Sequence, residues 1–341
     1  MDAVTQDNEV LSFRLAKEEY AISILKVQEI RGYEEPTLLP SAPACIKGIQ
    51  NLRGSIVPAI APRVLAIGVL ALAVALLAKL HHPFAADGLA VAPFTLLGLV
   101  LSIFLSFRNN ACFERWWEGR KLWGQLIYES RSLARLCQAL LVDDPALRDR
   151  VCRLCIGFAH ALAARLRGRD MALAALPWVP EADRARFGQR LNAPDQLLAM
   201  IAADLAQALR AGQLDSYLYT QFETRLHALS SIQAGCERIL TTPLPFAYTL
   251  LLHRCAWLFC VLLPFGLASS LGWATPVVSA VLAYAFFGLD QLGEEMEEPF
   301  GLESNDLPLD AMVRTIEIDL LDSLGVQPLP EPLQPRQYLL Q

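Results

Sequence analysis

Apolar and polar positions follow different rules in different parts of this chain. Near its start, Leu11, Phe13 and Leu15 alternate with Ser12 and Arg14, and Tyr20, Ile22 and Ile24 alternate with Ala21 and Ser23. A period of two predicts two short strands, joined through Lys17-Glu18-Glu19. Further on the alternation gives way to unbroken apolar blocks. Val64 to Leu80 carries no charge before Lys79. At about 1.5 Å per residue that block just spans a bilayer core of about 30 Å, and Ile56 to Ile60 can extend it. Lys79, His81 and His82 can then reach the interface. A second block runs from Leu89 to Phe107, with Pro93 at a first-turn position. The third, Cys255 to Trp273, contains Pro264, and the fourth, Pro276 to Leu289, ends at Asp290. Pro264 is tolerable in lipid where neighbouring helices satisfy the freed carbonyl. Short gaps join the first block to the second and the third to the fourth, which predicts two helical hairpins. The crossings are placed at about 60–80, 90–107, 255–273 and 275–290.

The stretch between the hairpins reads as helix. Ala159 to Leu166 and Leu197 to Leu205 combine strong helix formers with apolar residues at a 3.6-residue period. No alternating segment occurs between Arg108 and Thr242, and nothing repeats at a fixed period. The expected fold is therefore mainly α and integral to a membrane. Four transmembrane helices carry a helical cytoplasmic lobe built from 108–242 and 291–337, with a short partial β segment at the N-terminus and a tail at 338–341.

Composition agrees with this division. Hydrophobic residues make up 54% of the chain and the mean hydropathy is +0.35, above the ordinary soluble range. A net charge of −6 offers nothing to a nucleic-acid partner. The segment from Arg108 to Thr242 holds eighteen Lys and Arg, and Arg108, Arg115, Arg120 and Lys121 lie close to the second block. Basic residues at the block ends place this segment, and both termini, in the cytoplasm. Met1-Asp2-Ala3-Val4 lacks the basic region and apolar core of a cleaved signal peptide.

Candidate chemistry is sparse. Of eight cysteines, only Cys152 and Cys155 form a C-x-x-C, with no second pair or histidine at ligand spacing. On an apolar helix that spacing is core filling, so neither zinc nor disulfides are expected. His160 and His227 have no ligand partners in sequence, and His253 and Arg254 fall at the cytoplasmic boundary, where snorkelling suffices. Glu294, Glu295, Glu297 and Glu298 read as a solvated face or as partners of the lobe's arginines. No nucleophile triad, phosphate-binding glycine loop or paired-carboxylate motif is present, so neither enzyme activity nor a cofactor is expected.

Three stretches carry a family resemblance. Phe104-Leu105-Ser106-Phe107-Arg108-Asn109-Asn110-Ala111 leads into Arg115-Trp116-Trp117-Glu118-Gly119-Arg120-Lys121-Leu122-Trp123-Gly124-Gln125-Leu126. Pro243-Leu244-Pro245-Phe246-Ala247-Tyr248-Thr249 and Glu297-Glu298-Pro299-Phe300-Gly301 follow, the last continuing to Asn305-Asp306-Leu307-Pro308-Leu309-Asp310. Over about 54–337 the chain resembles a bacterial bestrophin. The resemblance implies a homopentameric channel for small monovalent ions, chloride or other anions by family expectation, with its pore lined by the second crossing. Leu99, Ile103 and Phe107 recur at i, i+4 and i+8. Spacing alone suits a lipid-facing or helix-packing stripe. The family's narrow hydrophobic neck maps onto these three positions, where apolar rings would gate by width and wetting. Asn109 and Asn110 follow in the vestibule, where an amide can contact a partly dehydrated ion or bond to a neighbouring helix. The family's cytoplasmic aperture falls on Tyr217 or, allowing for a gap, Leu218. Eukaryotic members bind calcium just after Pro-Phe-Gly; here that run offers two carboxylates, Glu303 and Asp306, against the six to eight oxygens calcium takes.

The first residues resemble something else. Ile24 to Tyr33 and Ile46-Lys47-Gly48-Ile49-Gln50-Asn51-Leu52-Arg53-Gly54-Ser55-Ile56-Val57-Pro58 are similar to the start of a CheW-type chemotaxis coupling domain, with Arg53 at its receptor contact. That domain needs well over a hundred residues, and this chain enters the membrane after Ile60, leaving a truncated fragment over 1–53. Arg53-Gly54-Ser55-Ile56-Val57-Pro58 suits both families and marks a join. Two functions follow: an ion channel, resting on the larger part of the chain, and a coupling protein that binds a chemoreceptor or its kinase if the fragment folds.

Overall fold

The computed structural model describes residues 10–15, 18–23, 56–80 and 91–335, the first two stretches by backbone alone. Arg53, His81 and His82 lie outside the described residues. The chain divides into two units, Met1–Arg53 and Gly54–Gln341.

In the first unit β1 (Val10–Leu15) and β2 (Glu18–Ser23) pair antiparallel, with Phe13 opposite Tyr20 and Leu15 opposite Glu18. Glu18 and Glu19 are thus part of the second strand rather than of the connection. Register places Leu11, Phe13 and Leu15 across from Ile22, Tyr20 and Glu18, so the alternating apolar positions share one face apart from Glu18.

The second unit is helical. Its elements are α1 (Ile56–Leu80), α2 (Val91–Leu140), α3 (Pro145–Leu166), α4 (Met171–Ala175), α5 (Glu181–Arg184), α6 (Ala193–Arg210), α7 (Ser216–Thr241), α8 (Phe246–Leu271), α9 (Thr275–Glu297) and α10 (Leu309–Ser323). Among the described residues three helical stretches are long and apolar enough to cross a membrane: Ile60–Leu80, Pro93–Leu140 and Phe246–Glu297. The third doubles back. Gly272, at φ +51°, ends α8, and a single 3₁₀ turn leads into α9. His253 then meets Asp290, Trp257 meets Phe287 and Phe259 meets Phe286, one number rising as the other falls, as in an antiparallel pair. The stretch therefore forms two limbs. Outward side chains on these helices include Leu65, Val69, Leu72, Leu258 and Val281, and their inward ones are equally apolar. A helix apolar all round needs lipid on its open side.

Two cores result. Ile60, Ile67, Leu101, Leu105, Leu252, Phe259 and Phe287 pack between α1, α2, α8 and α9. Trp123, Leu133, Phe158, Ile201, Phe222 and Ile316 pack in the lobe. Cys137, Cys152 and Cys155 are buried in the second and free. The lobe helices start on sequence-legible caps: Asp144, Asn192 and Asp215 accept from the first-turn amides of α3, α6 and α7. Helix α2 belongs to both cores. The boundary expected at 107/108 is no break, since this one helix of fifty residues continues to Leu140. At 1.5 Å per residue it is about 75 Å long.

Candidate functional site

Helix α2 keeps one face unburied through both layers. Leu99, Ile103 and Phe107 are 58%, 46% and 62% exposed, while Leu101, Leu105 and Arg108 point the other way and are buried. Below Phe107 the exposed line continues through Asn110, Glu114, Trp117, Lys121, Gly124 and Tyr128 to Arg135. This face carries no charge above Asn110, where its large side chains are Leu99, Ile103 and Phe107 beside the small Ser102 and Ser106, and it becomes charged below that level.

That level is pinned from behind. Arg108 is 2% exposed, and its guanidinium donates to the Asp290 carboxylate at 2.7 Å and to the Asp290 carbonyl at 3.2 Å. A second nitrogen lies 3.8 Å from Glu297. Asn109 donates to the Leu289 carbonyl at 3.0 Å, and so bonds to a neighbouring helix, whereas Asn110 is exposed. His253 does not merely snorkel: its Nδ1 stands 2.7 Å from the free oxygen of Asp290. A buried arginine needs such a carboxylate, because desolvating it alone is costly. These contacts were not legible in the sequence beyond one signal. Arg108 and Asp290 each close an apolar block at the same membrane level.

Two turns beyond Arg108, Arg115 holds the junction to the lobe. Its guanidinium donates to Glu297 O at 2.6 Å, to Thr242 O at 2.6 Å and to Ile239 O, closing the C-terminal carbonyls of α7 and α9 together. Burial holds its pKa below the usual arginine value. The four glutamates expected on a solvated face or as partners of the lobe's arginines divide. Glu294 and Glu298 are exposed, Glu295 is buried and accepts from Asn305, and Glu297 pairs with Arg108. A cavity of about 680 Å³ beside them is lined by Arg108, Phe246, Thr249, Glu294, Glu297 and Asp306.

Glu303 and Asp306 belong to the loop after Gly301. The Asp306 carboxylate accepts the Glu303 amide at 2.6 Å, and a Cβ on Gly301 would stand 2.5 Å from the same oxygen. Burial pushes the Asp306 carboxyl up to about 6. Among the described residues no group of three or more His, Cys, Asp or Glu is arranged to hold a metal ion. Tyr217 is exposed in the first turn of α7, while Leu218 packs on the lobe core.

A family model described as "Bacterial/Fungal Bestrophin protein" matches residues 39–322. The chain belongs to the bestrophin family. It is a membrane protein by that membership and by its apolar helices. Bestrophin relatives are similar along most of their length. A voltage-dependent anion channel-forming protein of Mesorhizobium japonicum is 43% identical over 277 residues, covering 81% of this chain and 89% of the relative. The voltage-dependent anion channel-forming protein YneE of Escherichia coli K12 is 44% identical over 251 residues, 73% of this chain and 82% of its own. A crystal structure of a bacterial bestrophin homolog from Klebsiella pneumoniae superposes with a TM-score of 0.75 at 36% identity, over 79% of this chain and 100% of that one. A second family model, of the CheW-like domain, matches residues 9–65, so the two matches share residues 39–65. This shared stretch contains Arg53 to Pro58, where the sequence places the join.

Proposed function

We propose that this bestrophin is the subunit of a channel for small monovalent anions, with five copies around one axis in the bacterial inner membrane and both termini in the cytoplasm. The observation that carries the reading is the open face of α2, apolar at Leu99, Ile103 and Phe107 and polar below them. Five such faces around an axis would form an apolar neck that opens onto a wet vestibule, with Asn109 and Asn110 at the transition and Tyr217 at the far aperture. An apolar constriction gates by wetting and width, and binds no ion tightly enough to stop it. The names of the relatives support anions as the permeating species. Conduction on this reading uses no cofactor, and Glu303 and Asp306 serve the loop that carries them. The four limbs α1, the first half of α2, α8 and α9 supply the crossings.

The test is electrical. Purified protein in planar bilayers under asymmetric chloride should show a reversal potential on the anion side of zero. Replacing Leu99, Ile103 and Phe107 together with alanine should raise single-channel current. Unchanged current in that variant sinks the neck, and a reversal potential of cation sign sinks the anion assignment. A coupling role has only the match over 9–65 behind it, which is short of the hundred-odd residues such a domain needs.

A further inference from the structure

The neck reading leaves one cluster without a role: the buried charges directly behind Phe107. Residues 107 to 109 occupy three successive directions around α2. Phe107 points out, Arg108 is buried against Asp290, and Asn109 is bonded to the Leu289 carbonyl. Arg108 and Asp290 have side chains only 2% and 3% exposed, so their pair is strongly desolvated. The third member differs. His253 is 38% exposed and takes the other carboxylate oxygen of Asp290 at 2.7 Å. Three helices thus meet at one carboxylate, and of the three side chains only the imidazole is open to water.

Other titratable groups surround this point on the packed elements. On α2 they are Cys112 and Arg115, below Arg108. On α8, Arg254 is next to His253 and exposed. Helix α9 brings Glu294, Glu295 and Glu297, and the adjoining cavity brings Glu298, Glu303 and Asp306. Helix α1 runs antiparallel to α9, with Ile60 at Gly288 and Gly68 at Ala280, which sets Arg63 level with Ala285, more than a turn above Asp290. The carboxylate that faces His253 is Asp290.

We propose that Asp290 and His253 are positioning residues for the neck, acting through Arg108 to hold Phe107 where it stands, with the proton on His253 setting how firmly. The inference rests on the neck reading above. Because Arg108 and His253 use different oxygens, protonating the imidazole does not displace the guanidinium. The carboxylate already carries charge in this bond; protonation adds the opposite charge on the donor and turns a hydrogen bond into an ion pair, which is stronger. The clamp between α8, α9 and α2 tightens, and Phe107 is kept in the narrow arrangement. Deprotonation loosens the clamp and lets α2 shift at 108–109. Acid therefore closes.

Single-channel and macroscopic currents in planar bilayers, with pH changed on both sides from about 8 to about 5.5, test this across the range where imidazoles titrate. The wild type should lose about fivefold in current on acidification, the low end of a typical coupling between sites. His253→Gln keeps a hydrogen-bond donor but cannot be charged, and its current should stay high and flat. His253→Lys carries a fixed charge and should stay low and flat. Both replace a partly exposed side chain, and size-exclusion with light scattering checks that the oligomer is intact. If His253→Gln retains the wild-type pH response, or if acid raises the wild-type current, the proposal is overturned. If the triple alanine variant has wild-type current, the neck reading fails and takes the proposal with it. If that variant has raised current while His253→Gln still responds to pH, the proposal alone fails.

Discussion

Gly293 on α9 shows how tightly the residues behind the neck are fitted. A Cβ there would stand 2.5 Å from the Asn109 carboxamide oxygen and 3.4 Å from the Arg108 guanidinium. Neither neighbour has room to retreat without giving up its bond to α9. Gly293→Ala should therefore destabilise the protein by about 1–3 kcal/mol, the usual range for overpacking. Thermal unfolding in detergent measures it, and pairing the change with Asn109→Ala should restore part of the loss. Asp306 offers a second residue-level test. Burial pushes its carboxyl up to about 6, from the ordinary aspartate value of 3.8. The sign follows from linkage: the folded state holds this proton more tightly, so the contribution is fully present below about 4 and is lost as pH rises through about 6. Asp306→Asn keeps the acceptor for the Glu303 amide and removes the titration. Its melting temperature relative to wild type should rise between about pH 4 and about pH 7 in the presence of a chelator. A parallel pH dependence in both proteins would show that Asp306 is not the group responsible. Millimolar calcium that raises the melting temperature of wild type but not of Asp306→Asn would assign the loop a calcium site.

At the scale of elements, α2 is the member that joins membrane to lobe, and Arg115 is where it grips both. One guanidinium meets carbonyls at the ends of two helices, Ile239 and Thr242 on the α7 side and Glu297 on α9. Lysine keeps the charge but cannot reach three acceptors in a planar fork. Arg115→Lys should cost about 2–4 kcal/mol, as hydrogen bonds to charged groups contribute about 1.5–3 kcal/mol each and one or more would be lost. Chemical denaturation of the solubilised protein measures this, and an unchanged midpoint would mean that water closes those carbonyls equally well. The two halves of α2 were readable separately, as an apolar block and as the start of a helical lobe. Their continuity was not, because no local signal at Arg108 to Ala111 distinguishes a helix that continues from one that ends.

For the whole molecule, the open question is what the first unit contributes. It is a separate unit from Gly54–Gln341, and the described part of it is a two-stranded hairpin. An isolated hairpin is marginal in water. Deleting Met1 to Arg53 should leave the oligomer intact by size-exclusion with light scattering, and collapse to monomers would show that the segment has become structural. Pull-down with a chemoreceptor cytoplasmic domain at physiological salt should fail. Specific capture abolished by Arg53→Ala would establish a coupling function instead, and capture that survives it would point to unpaired strand edges.

Membrane class, the α8–α9 hairpin and family were determined by the sequence itself, because they rest on local quantities: block length, hydropathy, basic flanks and short motifs such as Phe107-Arg108-Asn109-Asn110. The other expected hairpin is not a packed pair, since α1 lies against α9 and α8 rather than along α2. The candidate neck was legible for the same reason, as a stripe on one helix. The Arg108–Asp290–His253 cluster was decided only in three dimensions. Its members lie far apart in the chain, and each has an innocent local explanation: a positive flank, a block end, a snorkelling histidine. What makes them one cluster is that α1, α2, α8 and α9 bury a common face, which brings opposite charges to one depth where water is excluded and each must find a partner.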